Sequence, residues 1–422
     1  MLRVSSMWSP YMVLQHMWAG TMQLMMYLIA QAIRRSLHRS TMMYVVALLL
    51  SCFVINAWSA GPKPGPTAVP RPPSIPVRAY VMEDFHSGKV LAEHNADERL
   101  EPASLTKIMT VYVAFHELDR GNIALAEEVV VSERAWRMPG SRMFIEVGTR
   151  VSVENLLKGI IVQSGNDASL ALAEHIAGSE EAFAGLMNQH ARELGMTNTN
   201  FVNPEGLPHA DHYTSARDMA ALTRAMIARF PDRYRLYSTR EFTYNKISQN
   251  NRNRLLRRDD SVDGVKTGYT KSAGYCLVSS AVRDDMRLIT VLLGSKSAKA
   301  RFQQGYSLLT YGFRFFETHR LFSAREPVQR IRVWEGAASA LGVGIADDLY
   351  VTVPRGRYKE LKTVVKLHDR AVAPISEGDP RGMLHVVLAD EVIERRHLIA
   401  LQSVAEGGLW KRLTDRVRNY FE

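Results

Sequence analysis

Ser104 and Lys107 stand three residues apart in the stretch PASLTKIMTVYVAF, residues 102–115. Leu105, Ile108, Met109, Val111, Tyr112, Val113 and Phe115 leave this stretch no polar face, so it reads as a buried helix with Lys107 as its only charge. A buried ammonium is costly unless it is paired or gives up its proton. Positions i and i+3 share a helix face. Pro102 at the helix start places Ser104 in the first turn, where the helix dipole favours developing negative charge. A serine hydroxyl needs a base within hydrogen-bond reach before it can attack, and a desolvated lysine with a lowered pKa is such a base. The expected chemistry is nucleophilic attack by Ser104 with Lys107 as proton acceptor. The other reading, a lysine snorkelling beside a surface serine, would need an amphipathic helix. S-x-x-K alone also arises by chance.

Two further segments supply what such a pair needs. VQSGNDASLAL places Ser164, Gly165 and Asn166 between the apolar run Leu156 to Val162 and a second helix. Ser164 could relay a proton and Asn166 could bind a substrate amide; taken alone, the same residues make an interhelix turn with Asn166 as cap. VDGVKTGYT places Lys266, Thr267 and Gly268 on a strand leading into a β-hairpin. Gly268 permits close backbone approach, and an extended peptide could add along this edge. Lys266 and Thr267 would then receive a carboxylate, and a second ammonium would lower the pKa of Lys107. K-T-G by itself is also a plain turn. His209 and His212, in HADH, are spaced for one helix face, but with no H-E-x-x-H and no cysteine cluster no metal is expected. The serine chemistry calls for no cofactor.

The elements that must position these residues follow from periodicity. Residues 79–97 read as two strands joined at Ser87-Gly88, a hairpin. Helical patterns run through residues 153–195. Ser215 with Asp218 three residues on is a capping box. GYCLVSSAV and MRLITVLLGS read as strands around a turn at Arg283–Asp285. After about residue 324, VQRIRVW, LYVTVP, LKTVVKL and MLHVVLAD are short, alternating and separated by turn residues, the pattern of a small all-β domain.

The chain has 422 residues, 46% hydrophobic and 23% charged, with a net charge of +10. Residues 1–60 carry four arginines and no acid, which leaves +6 beyond them. That surplus suits an anionic surface or substrate. No basic run interleaves with aromatics, which argues against nucleic acid as a partner. Basic residues 34–40, apolar residues 42–57 and the small residues of AWSAG have the order of a secretory signal peptide, with a retained membrane anchor as the other reading. Cys52 would be lost with it, leaving Cys276 as a free thiol. Residues 62–76 hold seven prolines and read as an extended spacer. At the far end, Leu409, Trp410, Leu413, Val417, Tyr420 and Phe421 recur at helical spacing, flanked by Lys411, Arg412, Arg416 and Arg418. Such a helix lies in a membrane interface or docks on its own domain.

S-x-x-K, S-x-N and K-T-G in this order are similar to the signature of the penicillin-binding proteins and serine β-lactamases. PASLTKIMT, QSGNDAS, YTSARDMA, NRNRLL and VDGVKTGYT resemble the low-molecular-mass D-alanyl-D-alanine carboxypeptidases, and the resemblance runs from about residue 77 to the end. It implies an α+β protein. A transpeptidase-like catalytic domain, an antiparallel sheet flanked by helices, would span 77–323. A β-rich domain would span 324–406 and an amphipathic helix 407–422, behind a leader (1–60) and linker (61–76). It implies that Ser104 attacks the penultimate D-alanine carbonyl of a peptidoglycan pentapeptide, that Lys107 takes its proton and that Ser164 passes it on. Asn166 would hold the peptide amide, the N–H groups of Ser104 and Tyr269 the oxyanion, and Lys266, Thr267 and Arg301 the terminal carboxylate. β-Lactams would acylate Ser104. The implied location is the periplasm, on the outer face of the cytoplasmic membrane. The alternatives are a β-lactamase, and a non-catalytic wall scaffold that binds penicillin. Glu205, in NPEGL, departs from the family's His-Gly-Leu; it would serve loop structure or assist the hydrolytic water. The long amino-terminal extension is a second departure.

Overall fold

The computed structural model describes residues 69–368 and 370–421, with Tyr27 and Gln31. The expected leader, Cys52 within it and the first part of the proline spacer otherwise lie outside the described residues.

Five strands, β1 (Ala79–Asp84), β2 (Val90–His94), β3 (Val262–Thr270), β4 (Gly274–Arg283) and β5 (Met286–Ser295), form an antiparallel sheet in the order β2-β1-β5-β4-β3. The K-T-G strand, β3, is therefore an edge. Period-two alternation makes both faces apolar. Tyr80, Met82, Leu277, Leu288 and Leu292 face helix α5 (Ala298–Phe315), through Leu308 and Leu309. Val81, Val278 and Val291 face the main helical cluster, with α1 (Lys107–Asp119), α2 (Asn166–Ala177), α3 (Glu180–Glu193) and α4 (Ala216–Arg229).

Every residue of α1 from Lys107 to His116 is buried, so this helix has no solvent face over that span. It differs from the expected helix in one respect. Ala103–Thr106 form a 3₁₀ turn and the α-helix begins at Lys107, so Ser104 lies in the turn before the helix, not in its first turn. The cause is local: Ala103 takes φ +48, which an α-helix excludes. The expected capping box is half present. Ser215 accepts the Asp218 N–H, but the Asp218 carboxylate turns to the Asn198 N–H and the Thr199 hydroxyl instead of the cap.

The β-rich part begins earlier than the change of texture at 324. β6 (Phe316–Phe322) pairs with β9 (Leu349–Pro354). β7 (Pro327–Trp334), β8 (Ala340–Gly344), β10 (Lys362–Leu367), β11 (Ala371–Val372), β12 (Pro380–Leu388) and β13 (Glu391–Ala400) form a second sheet in the order β10-β12-β13-β8-β7-β11. Leu384, Val386 and Leu388 alternate inward along β12. A polar knot joins this part to the central sheet. The fully buried Asp84 accepts the Ser87 N–H and hydroxyl (both 2.8 Å) and the Thr318 hydroxyl (2.8 Å), while Thr352 bonds both hydroxyls.

The carboxy-terminal helix α6 (Leu409–Phe421) meets β7 through its polar side. Asp415 is buried and accepts the Glu335 N–H at 2.9 Å, and Arg416 pairs with Glu335 at 3.0 Å. Leu409, Trp410, Leu413 and Val417 point outward, Trp410 at 83% exposure. The helix docks on the β-rich part, and its apolar side stays open. The side chains of Tyr420 and Phe421 lie outside the description.

Asp84→Ala would strand the Ser87 and Thr318 donors. A loss of about 2–4 kcal/mol is expected from breaking a buried charged network, read as a fall in the urea midpoint with an unchanged slope.

Candidate active site

The 3₁₀ turn carries Ser104 over Lys107, with Oγ 3.2 Å from Nζ. The turn is held from outside. A Cβ on Gly206, which has φ +82, would fall 1.8 Å from the Ala103 carbonyl oxygen, so only glycine lets the 203–207 loop close on it.

Lys107 is completely buried. Its Nζ lies 2.7 Å from Asn166 Oδ1 and 2.5 Å from the backbone carbonyl of Glu205. Asn166 Nδ2 donates to the Pro139 carbonyl at 2.6 Å, which fixes Oδ1 toward the amine. These contacts suit either state of the lysine. A neutral amine spends two N–H bonds on the two carbonyl oxygens and turns its lone pair to the Ser104 hydroxyl; an ammonium donates to all three. A proton can pass from Ser104 to Lys107 while the heavy atoms stay in place. Burial pushes the Lys107 pKa down; the Glu205 carboxylate opposes this and Arg252 adds to it.

A π-helical turn over Gly159–Gln163 ends at Ser164 with φ +65. That left-handed residue receives Lys266 Nζ on its hydroxyl at 2.8 Å. Lys266 is buried and also donates to the Thr267 carbonyl. Burial, then the like charge of Lys107, hold its pKa well below the usual lysine range. Behind Asn166, the Asp167 carboxylate accepts the N–H groups of Met143 (3.0 Å) and Phe144 (2.9 Å), anchoring the loop that brings Gly140 and Ser141 to the rim.

β3 closes the other side. A Cβ on Gly268 would meet the Pro102 carbonyl at 3.0 Å, so the close approach foreseen at this glycine is to the nucleophile's own turn. Arg301 is buried beneath the strand and donates from Nη1 to the Gly268 carbonyl at 2.9 Å. Tyr269 is half exposed and stacks against Tyr275.

Ser104, Ser164, Asn166, Thr267, Gly268, Tyr269 and Arg301 thus line one cleft of about 460 Å³, with Lys107 and Lys266 buried beneath it. Sequence reasoning missed Gly206, Asp167, Arg252 and Arg254. Glu205 attracted notice for its carboxylate, whereas its main-chain carbonyl makes the contact. Its two carboxylate oxygens are buried without a partner, and burial pushes their pKa up. Asn203, accepting the N–H groups of Gly206 and Leu207, shapes that loop. The histidines are not a pair on a helix: both lie in a loop, His209 exposed, His212 buried with Nε2 2.8 Å from Thr106 Oγ1.

Residues 67–297 match the family model described as D-alanyl-D-alanine carboxypeptidase, and residues 316–406 match penicillin-binding protein 5, C-terminal domain. The chain belongs to the D-alanyl-D-alanine carboxypeptidase family. It is 46% identical to the D-alanyl-D-alanine carboxypeptidase DacC of Escherichia coli, over 83% of this chain and 89% of that one. It is similar to the crystal structure of penicillin binding protein 5 from Haemophilus influenzae, with a TM-score of 0.78 and 40% identity, over 80% of this chain and all of that one. Penicillin-binding protein D2 from Listeria monocytogenes, solved in an ampicillin-bound form, superposes with a TM-score of 0.54 at 27% identity, over 58% of this chain and all of that one. The activity is that of a serine-type D-alanyl-D-alanine carboxypeptidase.

The Glu205 carboxylate raises the proton affinity of Lys107. That holds for the ionised form, and burial pushes the Glu205 pKa up to about 8, so below neutrality the carboxyl is already neutral. Glu205→Gln is therefore expected to leave the acid limb of the acylation rate in place and to raise the rate only above about pH 8, where the wild-type carboxylate would hold the lysine's proton; stopped-flow acylation across pH reads this. An acid limb moved to lower pH would mean that Glu205 is ionised there and that burial does not keep it neutral.

Proposed function

We propose that this carboxypeptidase removes the terminal D-alanine from peptidoglycan pentapeptide stems through an ester on Ser104. The observation that carries this reading is the fully buried Lys107 amine, 3.2 Å from Ser104 Oγ. Lys107 takes the hydroxyl proton as Oγ adds to the penultimate D-alanine carbonyl. The developing oxyanion rests on the N–H groups of Ser104 and Tyr269. Ser164, held by Lys266, hands the proton to the departing nitrogen as the C–N bond breaks. Asn166 holds the peptide amide, and Lys266 and Thr267, with Arg301 behind them, receive the terminal carboxylate. Water then adds to the ester, Lys107 takes its proton, and the tetrapeptide leaves. A β-lactam amide enters the same path and its acyl group stays, in keeping with the ampicillin-bound Listeria relative.

We also assign the chain to the periplasm, exported by its leader and held on the outer face of the cytoplasmic membrane by α6. No helix of the described residues is long and apolar enough to cross a membrane. The outward Leu409, Trp410, Leu413 and Val417 suit insertion into an interface, with Lys411 and Arg418 beside anionic headgroups. The domain limits proposed here are 77–315 for the catalytic part and 316–406 for the β-rich part, since β6 begins at Phe316.

Mass spectrometry of the penicillin-treated protein should place the adduct on Ser104. Ser104→Ala should take no label and lose D-alanine release by about 10³-fold or more, as removal of a covalent nucleophile does elsewhere; an adduct on another residue would overturn the mechanism. Deleting residues 407–422 should keep turnover of a soluble peptide and release the protein from vesicles containing anionic lipid. Retention on those vesicles would move the anchor elsewhere in the chain.

A further inference from the structure

One end of the cleft carries more positive charge than a single carboxylate can answer. Arg252, Arg254 and Arg301 all line it, and Glu205 is the one acid among the described residues that does. Arg252 gives Nε to the Gln163 carbonyl at 2.8 Å, and Arg301 gives Nη1 to the carbonyls of Gly268 and Cys276. Arg301 Nε is buried with no partner. None of the three arginines forms an ion pair among the described residues. Unpaired guanidiniums crowded together repel one another, and that arrangement persists where an anion repays it.

The segment is built to hold them there. Asn251 and Asn253 point inward. Asn253 Nδ2 donates to the Gly264 carbonyl at 2.8 Å, and Asn251 Oδ1 accepts the Asn253 N–H. The buried and exposed residues alternate from Asn251 to Arg254, which puts both arginines on the open side. Burial is the main reason Arg301 holds its proton less firmly, and Arg252 and Arg254 are near enough to weaken it further. Ala298, in the first turn of α5, lines the same wall, adding the positive end of an 18-residue helix.

We propose that this wall is a two-anion subsite: beside the terminal carboxylate it takes a second carboxylate on the side chain of the same residue. The enzyme then also cleaves stems ending in D-glutamate or D-aspartate, and Arg254 determines that specificity. This rests on the carboxypeptidase reading, since it places the terminal residue at Lys266, Thr267 and Arg301. An acid before the scissile bond would sit on the acyl side, away from this wall. The chemistry is unchanged: the C–N bond breaks, the leaving nitrogen takes the proton that came from Ser104, and water hydrolyses the ester.

The test compares kcat/KM for acylated peptides ending in D-Ala-D-Ala, D-Ala-D-Glu and the neutral isostere D-Ala-D-Gln. The wild-type ratio of D-Glu to D-Gln should be about threefold to tenfold at low ionic strength and should shrink with added salt, as for a partly exposed charge pair. Arg254→Gln should bring the ratio near one and Arg254→Lys should restore part of it. Because each ratio is taken within one protein, a general loss of activity cancels. A wild-type ratio near one, or a ratio unchanged in Arg254→Gln, overturns the proposal. Absence of D-alanine release from D-Ala-D-Ala would instead overturn the reading on which it rests.

Discussion

A lysine sealed in a hydrocarbon core is the constraint to which the rest of the site conforms. The Lys107 amine meets the Ser104 hydroxyl and two carbonyl dipoles, those of Asn166 and Glu205. The choice of acceptors matters. A carboxylate in hydrogen-bond contact would repay the desolvation of an ammonium and lock the proton on nitrogen. Asp167, one residue past Asn166, is turned away onto the N–H groups of Met143 and Phe144. Glu205, the acid that remains nearby, has its carboxyl buried where ionisation is disfavoured. Neutral acceptors solvate the amine enough to hold it still without fixing its charge. Arg252 adds a like charge that lowers the Lys107 pKa further, while Lys266, packed below the same cleft, is itself held low by burial and by the charge of Lys107.

Holding the amine is useful if the hydroxyl cannot drift from it. Thr106 Oγ1 donates to the Ala103 carbonyl at 2.8 Å and so must accept from His212 Nε2. His212 Nδ1 accepts the Val202 N–H, which leaves the ring proton on Nε2. Thr110 Oγ1 donates to the Pro204 carbonyl at 2.7 Å. The loop that supplies the Glu205 carbonyl is therefore stapled at Thr106 to the turn that carries Ser104 and at Thr110 to the helix that carries Lys107. The left-handed Ala103 is the strained point, and Gly206 fits against it. Ser104 needs this support because it lies outside the regular helix.

The catalytic chemistry was legible because it depends on residue type and short spacing. A charge inside a run with no polar face, three residues after a hydroxyl, states its own problem. The hairpin at Ser87-Gly88 followed from alternation and turn residues. The support was not legible. Gly206 is one glycine among many until the Ala103 carbonyl is found against it. Asp167 reads as an ordinary acid in the first turn of a helix, and its use as an anchor depends on a loop more than twenty residues upstream. The half-built capping box fails for the same reason: the Asp218 carboxylate serves Asn198 and Thr199, which sequence distance hides. The start of the β-rich part was misjudged because β6 follows α5 directly, with its pairing partner far along the chain.

The same accounting makes sense of α6. An amphipathic helix on a protein surface normally turns its apolar face inward, because each large side chain left in water forfeits about 1.5–3 kcal/mol. Here the order is reversed. Asp415 is buried against a backbone N–H, Arg416 is tied to Glu335, and four large apolar side chains face out. Burying a carboxylate brings little net stability even when it is paired, so the polar contacts alone do not account for the orientation. The interfacial placement proposed above would account for it, since an interface that takes up Leu409, Trp410, Leu413 and Val417 would recover the missing apolar burial.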